Sequence, residues 1–378
     1  MTRLLIVTTV DRTMTAFLLP FADYFRARGW TVDAMTAGLS AVPECASRFD
    51  RVWEMEWTRR LASRANLAAA NRVREIVGAH AYDLVHVHTP VAGFITRLAL
   101  RQMRQASRPK VVYTAHGFHC HPQGKRTTNA AFCTLEKLAG SWTDALVVIN
   151  HEDERLARRL GLAKNGRIYY MPGIGIDLER YSRATVDSEA IASAKEAIGL
   201  GPRDGLFLMV AAFDPEKRHA DAVRALHAVG ERGVHLAFAG LGPELEAVRA
   251  LSESLGLSDR VHFLGSRSDI PILLAAADAL LLPSGREGLP RSILEAMAMK
   301  TPVIGSYVRG TTELLGGDAG LLVKIGDVNG LAEAMRSVLR EPEEAQAMAE
   351  RAHRRVGRYS LSRVLALHAE MYEDLLGS

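Results

Sequence analysis

Short apolar, β-branched runs alternate with helical patterns along almost the whole chain, and this alternation most restricts what it can fold into. One series falls at residues 4–9, 31–35, 84–88, 111–114, 145–149 and 168–171. A second falls at 206–211, 235–239, 261–264, 279–282 and 303–305. Runs without polar alternation suit strands covered on both faces, and strands separated by helices pair in parallel. Eleven such runs are too many for one open sheet of ordinary size. The expected fold class is therefore α/β, with two doubly wound, Rossmann-like domains. The polar stretch 177–194, which contains Tyr181-Ser182-Arg183-Ala184-Thr185, has no apolar period and marks the division. The reading places one domain at 1–180, a second at 195–355 and a terminal segment at 356–378. In that segment Val364, Leu365, Leu367, Met371, Leu375 and Leu376 recur at helical spacing.

The chain has 378 residues, 48% hydrophobic and 24% charged, as in ordinary globular proteins with sizeable cores. Its three cysteines, Cys45, Cys120 and Cys133, show no paired spacing, which argues against a disulfide framework and fits a reducing compartment. No apolar run approaches the length of a membrane span, and the first ten residues are too short for a signal core. The expectation is a cytoplasmic protein. Residues 1–190 hold 26 Lys and Arg against 18 Asp and Glu, and the remainder holds 21 against 25. Arg59, Arg60, Arg64, Arg72 and Arg74 recur on one helical stretch, and Arg101, Arg104, Arg108 and Lys110 follow. Such a basic half suits an anionic membrane surface at the inner face or a diphosphate-bearing acceptor. An arginine-rich, solvated helix face fits it equally. Nucleic acid is not an expected partner, because no binding motif or interleaved aromatics accompany the charge.

The chemistry concentrates in Glu287-Gly288-Leu289-Pro290-Arg291-Ser292-Ile293-Leu294-Glu295, directly after a buried apolar run. Pro290 suits the first position of a helix, where its missing N–H has no partner to lose. Glu287 then lies on the loop, and Glu295 about a turn and a half into the helix. Amide N–H groups at such a helix start attract anions. Two carboxylates around an anion site suit a ligand carrying both hydroxyls and phosphates, such as a nucleotide sugar. The plainer alternative is a strand–loop–helix with two surface glutamates.

This Glu-x7-Glu segment, with Pro302-Val303-Ile304 beyond it, resembles the donor-site signature of retaining family-4 glycosyltransferases, in their bacterial exopolysaccharide and capsule branch. Tyr82-Asp83-Leu84-Val85-His86-Val87-His88, Thr114-Ala115-His116-Gly117-Phe118, Gly173-Ile174-Gly175-Ile176-Asp177 and Phe263-Leu264-Gly265 extend the likeness in order along the chain. The resemblance implies a GT-B fold, with two domains facing across a cleft and the last helix crossing back to the first. It implies a nucleotide-sugar donor, with UDP the expected nucleotide, and a saccharide or lipid-linked acceptor.

By the same resemblance Lys217 is the phosphate-binding lysine. A fixed cation there stabilises charge that builds on the leaving phosphate. The family usually has an arginine five residues earlier, where this chain has Ala212. Arg218, and after it His219, are the candidate substitutes. Glu295 is placed to accept hydrogen bonds from ribose hydroxyls, and Glu287 from hydroxyls of the transferred sugar, since ionised acceptors bind these strongly. Gly288, Leu289 and Pro290 complete the donor loop. His116 follows a strand end and, by resemblance, touches and aligns the transferred sugar. Gly240, in a glycine-rich turn, and Arg267, after another strand, are further donor candidates, each also readable as an ordinary turn. Asp11 and Arg12 are weak acceptor candidates on a loop that lacks the family's paired glycines. His116, His119, Cys120 and His121 cluster in sequence, but no second ligand pair supports zinc. There is no Asp-x-Asp motif, so a metal-independent enzyme without cofactor is expected. A nucleotide-sugar 2-epimerase and a non-catalytic sugar-nucleotide binding subunit are the rival readings, since fold does not settle activity.

Overall fold

In the computed structural model, which describes residues 1–58, 63–101, 103, 108–118, 126–163 and 167–377, the apolar runs pair into two wholly parallel sheets. The first contains β1 (Arg3–Val7), β2 (Thr31–Thr36), β3 (Arg51–Glu54), β4 (Leu84–His88), β5 (Lys110–Ala115), β6 (Ala145–Val148) and β7 (Ile168–Tyr170), in the order β3-β2-β1-β4-β5-β6-β7. The second contains β8 (Gly205–Val210), β9 (Val234–Ala239), β10 (Val261–Gly265), β11 (Ala279–Leu282), β12 (Val303–Ser306) and β13 (Leu321–Val323), in the order β10-β9-β8-β11-β12-β13. All eleven expected strands are present. The two that sequence reading missed, β3 and β13, are both outermost. β3 exposes Arg51 and Glu54 and only half-buries Val52 and Trp53, and β13 is three residues long. Edge strands bury little and so carry a weak apolar signal.

The chain divides into two units, Met1–Ile174 together with Val364–Ser378, and Gly175–Arg363. The stretch 177–194 is not the loose connection its polarity suggests. Ile176 and Tyr181 are buried in the second unit's core, and Ile191 packs against it. The helix Ser188–Ala197 is capped by Asp187, whose carboxylate accepts from the Ala190 N–H at 2.7 Å. A few well-spaced apolar anchors fixed this segment, and such sparse anchors leave no periodic pattern to read.

The order of each sheet reverses once, between β1 and β4 in the first and between β8 and β11 in the second. Loops at the carboxyl ends of those strand pairs leave in opposite directions and open a crevice, the usual ligand position in such sheets.

In the first unit a buried polar seam ties the terminal helix, Leu361–Gly377, to the sheet. Tyr372 hydroxyl bonds His86 Nδ1, and His86 Nε2 bonds Thr114 Oγ1 at 2.7 Å. His88 Nδ1 meets His116 Nε2 at 3.0 Å, and His368 Nδ1 bonds the Val364 carbonyl at 2.8 Å. Two facing imidazoles share one proton, so a further proton would set two N–H groups against each other. Burial holds His86 and His88 well below the ordinary histidine value, and it holds His116 and His368 at about 4.

Between about pH 6.5 and pH 4 the unfolded chain binds more protons than the folded one, so stability falls as pH falls. Thermal melts across this window should show a midpoint that drops steadily with acidification. His368→Gln keeps a donor for Val364 but does not titrate, and it should flatten the slope. An unchanged slope would remove the seam from the explanation.

Candidate functional site

At the second reversal point the loop after β8 supplies Lys217 and the loop after β11 supplies Glu287. Pro215–Lys217 forms one turn of 3-10 helix, closed by the Lys217 N–H on the Asp214 carbonyl at 2.9 Å. The Gly285 N–H then donates to the Glu216 carbonyl at 2.8 Å and ties the two loops directly together. Their side chains meet above that tie. Lys217 Nζ donates to Glu287 Oε1 at 2.6 Å, with the carboxylate side chain only 8% exposed. A buried carboxylate is tolerable with a cation this close. An ammonium carries three donors, so one bond to Glu287 leaves two directions for another anion.

The loop beyond Glu287 rests on the start of the helix Arg309–Leu315. Arg309 Nε donates to the Glu287 carbonyl at 3.3 Å. Gly310 sits so close that a Cβ there would lie 2.6 Å from the Gly288 carbonyl carbon. The helix that follows runs Arg291–Ala298, one residue later than expected. Pro290, at φ −71° and ψ 119°, is the extended residue before it rather than its first turn. Proline's fixed φ suits both positions, and only ψ distinguishes them.

Glu295 is held by a different set of groups. Arg291 Nε approaches Glu295 Oε1 at 2.9 Å, and the Tyr181 hydroxyl also donates to the carboxylate. Burial raises the Glu295 pKa, while Arg291 and then Tyr181 pull it back down. The Tyr181 hydroxyl is itself pushed up, first by burial and then by the Glu295 charge.

Comparison with known proteins bears on this arrangement. The family model "Glycosyl transferase 4-like domain" matches residues 13–173, and "Glycosyl transferases group 1" matches residues 191–355. EpsD of Bacillus subtilis (strain 168) is 31% identical over 375 residues, covering 98% of this chain and 96% of that protein. The chain belongs to glycosyltransferase family 4. It is a glycosyltransferase acting on nucleotide sugars. The UDP-Gal:alpha-D-GlcNAc-diphosphoundecaprenol alpha-1,3-galactosyltransferase of Escherichia coli is 28% identical over 260 residues, 67% of this chain and 65% of that one. Anabaena Alr3699/HepE, solved in complex with UDP and glucose, superposes with a TM-score of 0.82 at 20% identity, over 99% of this chain and 100% of that one. At that identity the likeness shows the fold alone, and the fold is GT-B.

The remaining family-4 candidates fall in varied places. Arg218 adopts the left-handed region at φ 58°, unusual for a non-glycine residue. Its Nε donates to Asp221 Oδ2 at 2.6 Å, so the guanidinium is already paired on its own helix. His219 does not serve as a replacement cation for Ala212. Its ring stacks on Phe213 at 4.1 Å, and burial holds its pKa at about 4, against a smaller upward pull from the Ala211 backbone. It is therefore neutral near pH 7, because burial disfavours the charged form. Arg267 forks onto Asp269, with Nε to Oδ1 at 2.8 Å. A Cβ on Gly240 would lie 2.8 Å from the Ala211 carbonyl carbon, so packing against neighbouring backbone already calls for glycine there. Among the described residues, the structure brings together Lys217, Glu287 and the Gly288–Pro290 turn, with Glu295 on the helix that follows.

Asp11 and Arg12 open a short helix in the first unit, where the Asp11 N–H donates to the Ala37 carbonyl at 2.9 Å. His116, also in the first unit, is oriented by His88 at 3.0 Å. His119, Cys120 and His121, and the helix-face residues Arg59, Arg60 and Arg104, lie outside the described residues. Arg309, Gly310 and Tyr181 are the site residues sequence reasoning missed. The strand end before Arg309-Gly310 was a signal for the first two. Nothing local pointed Tyr181 at Glu295.

Proposed function

We propose that this chain is a retaining transferase that moves a sugar from a UDP-linked donor to a hydroxyl of a lipid-linked saccharide acceptor, without a metal ion. The Lys217–Glu287 pair, tied across the reversal point of the second sheet, is the observation that carries the reading. Lys217 holds Glu287 with one N–H and offers the others to the donor's pyrophosphate. Glu287 accepts from a hydroxyl of the transferred sugar, and Glu295 from the ribose. As the bond between sugar C1 and the phosphate oxygen breaks, its electron pair stays on the pyrophosphate, where Lys217 stabilises it. The acceptor hydroxyl oxygen bonds to C1 on the same face, and its proton passes to the departing phosphate oxygen. The products are UDP and the glycoside. Lys217 and the helix start at Arg291 take the role a divalent cation plays elsewhere.

Support for UDP comes from HepE, solved with UDP and glucose, and from the UDP-Gal transferase relative. Support for a lipid-linked acceptor comes from the diphosphoundecaprenol in that relative's name and from the basic amino half. The same basic half suits attachment to an anionic membrane surface. No helix among the described residues is long and apolar enough to cross a membrane.

UDP-, GDP- and ADP-sugars should be tested with and without magnesium, with products separated by chromatography. The expected result is release of UDP only on addition of a hydroxyl acceptor, unaffected by chelation. An isomeric sugar nucleotide formed without acceptor would establish epimerisation instead. No turnover with any donor would support the binding subunit.

A further inference from the structure

Glu295 is only 6% exposed, and an uncharged residue in its place would spare the core a charge. Tyr181 is 3% exposed, and its ring belongs to the apolar cluster that also holds Ile293 and Leu294. A phenylalanine ring would fill that space equally well, so packing does not explain the hydroxyl. Its one visible task is the bond to the Glu295 carboxylate. A buried carboxylate with a specific partner is a mark of functional sites.

The two groups that hold Glu295 differ in kind. Arg291 is on the same helix, and its side chain is 32% exposed. A long, half-solvated arginine can follow the carboxylate wherever it turns. Tyr181 cannot, because a tyrosine has few torsions and this ring is locked by its neighbours. Its backbone is fixed as well. The Tyr181 N–H donates to the Asp177 carbonyl at 3.0 Å, and Asp177 Oδ1 accepts from the Glu179 and Arg180 N–H groups at 3.0 and 3.1 Å. Arg180 Nη2 donates to the Ser268 carbonyl at 3.1 Å, on the loop after β10. Just upstream, the Ile176 N–H donates to the Tyr359 carbonyl and its carbonyl accepts from the Leu361 N–H, both at 2.8 Å. Gly175, at φ 83°, permits that pairing, since a Cβ there would stand 2.6 Å from Leu361 Cα.

We infer that Tyr181 is a positioning residue for nucleotide recognition: its hydroxyl fixes the Glu295 carboxylate in the orientation that accepts from the donor's ribose hydroxyls. A carboxylate has about four acceptor directions, so the bonds from Tyr181 and Arg291 leave room for ribose. This inference rests on the reading of Glu295 as the ribose acceptor, and it names the group that makes that acceptor selective.

The probe is whichever of UDP, GDP and ADP binds best, against its 2′,3′-dideoxy form, by isothermal titration calorimetry. The wild-type protein should prefer the full ribose by about tenfold, the scale of a hydrogen bond to a charged group. Tyr181→Phe keeps the ring and should weaken the full nucleotide by about three- to tenfold, the scale of one net hydrogen bond, while the dideoxy form binds as before. In a Glu295→Gln background the same substitution should have no further effect. Unchanged ribose preference in Tyr181→Phe would overturn the inference and leave Glu295 as the ribose acceptor. Equal weakening of both nucleotides, or an undiminished effect in the Glu295→Gln background, would make Tyr181 a general structural support and also overturn it. No ribose preference in the wild-type protein would instead remove the reading of Glu295, and this inference with it.

Discussion

Lys217→Ala should lower kcat/KM by about 10²–10³-fold, the scale of removing one fixed group that stabilises developing charge. The bond it makes, 2.6 Å to a carboxylate that is 8% exposed, also makes this lysine a structural partner. Its loss leaves Glu287 without its cation, at a cost of about 1–3 kcal/mol. Turnover and stability can therefore be separated. Lys217→Ala combined with Glu287→Gln removes the unpaired charge and should recover most of the lost stability, while turnover stays low. Chemical denaturation and steady-state kinetics on the two variants check this. If Lys217→Ala lost stability but kept normal kcat/KM, Lys217 would be a structural residue with no part in stabilising the leaving group.

Gly310→Ala should be the most damaging single methyl at the site. A Cβ there would stand 2.6 Å from the Gly288 carbonyl carbon and 3.0 Å from Leu289 Cα. Those neighbours are backbone and cannot swing aside, so the loop carrying Glu287 must shift. Overpacking of this kind costs about 1–3 kcal/mol. A displacement near 1 Å in a reacting group can cost about 10²-fold in rate. The expected result is a lower melting temperature together with kcat/KM reduced by about 10–10²-fold. Gly78→Ala is the control, since it lies within the helix Arg64–His80 and a Cβ there meets nothing within 4 Å. That change should be neutral or stabilise by about 0.5–1 kcal/mol. A Gly310→Ala protein with normal kinetics would mean that the loop tolerates displacement, and that the Gly288–Leu289 turn does not position the donor.

The separate sets of partners at Glu287 and Glu295 bear on how the site is built. Glu287 is matched by a lysine from another loop. Glu295 is matched by Arg291, one turn back on its own helix, and by Tyr181 from the segment that opens the second unit. Two carboxylates eight residues apart are thus kept in position by unrelated parts of the chain.

The strands and their parallel pairing were legible in the chain itself, because strands covered on both faces need long apolar runs. β8, with Leu206, Phe207, Leu208 and Met209 fully buried, is of that kind. The edge strands β3 and β13 were not, since an edge is half solvated and asks little of its residues. Spacing and resemblance together singled out Lys217, Glu287 and Glu295. Their partners could not be found that way. The Lys217–Glu287 bond joins residues 70 apart in sequence, and it exists because the sheet order reverses between β8 and β11. Gly240 reads in sequence as freedom for a ligand or an ordinary turn, and the close approach of the Ala211 backbone to it shows only in the structure. His219 reads as a spare cation in sequence and is a neutral ring stacked on Phe213 in the structure. Local sequence encodes burial and backbone preference, which act within a few residues. Which charge meets which, and whether a group is left in water, depends on strand order and close packing, and these arise only when distant segments come together.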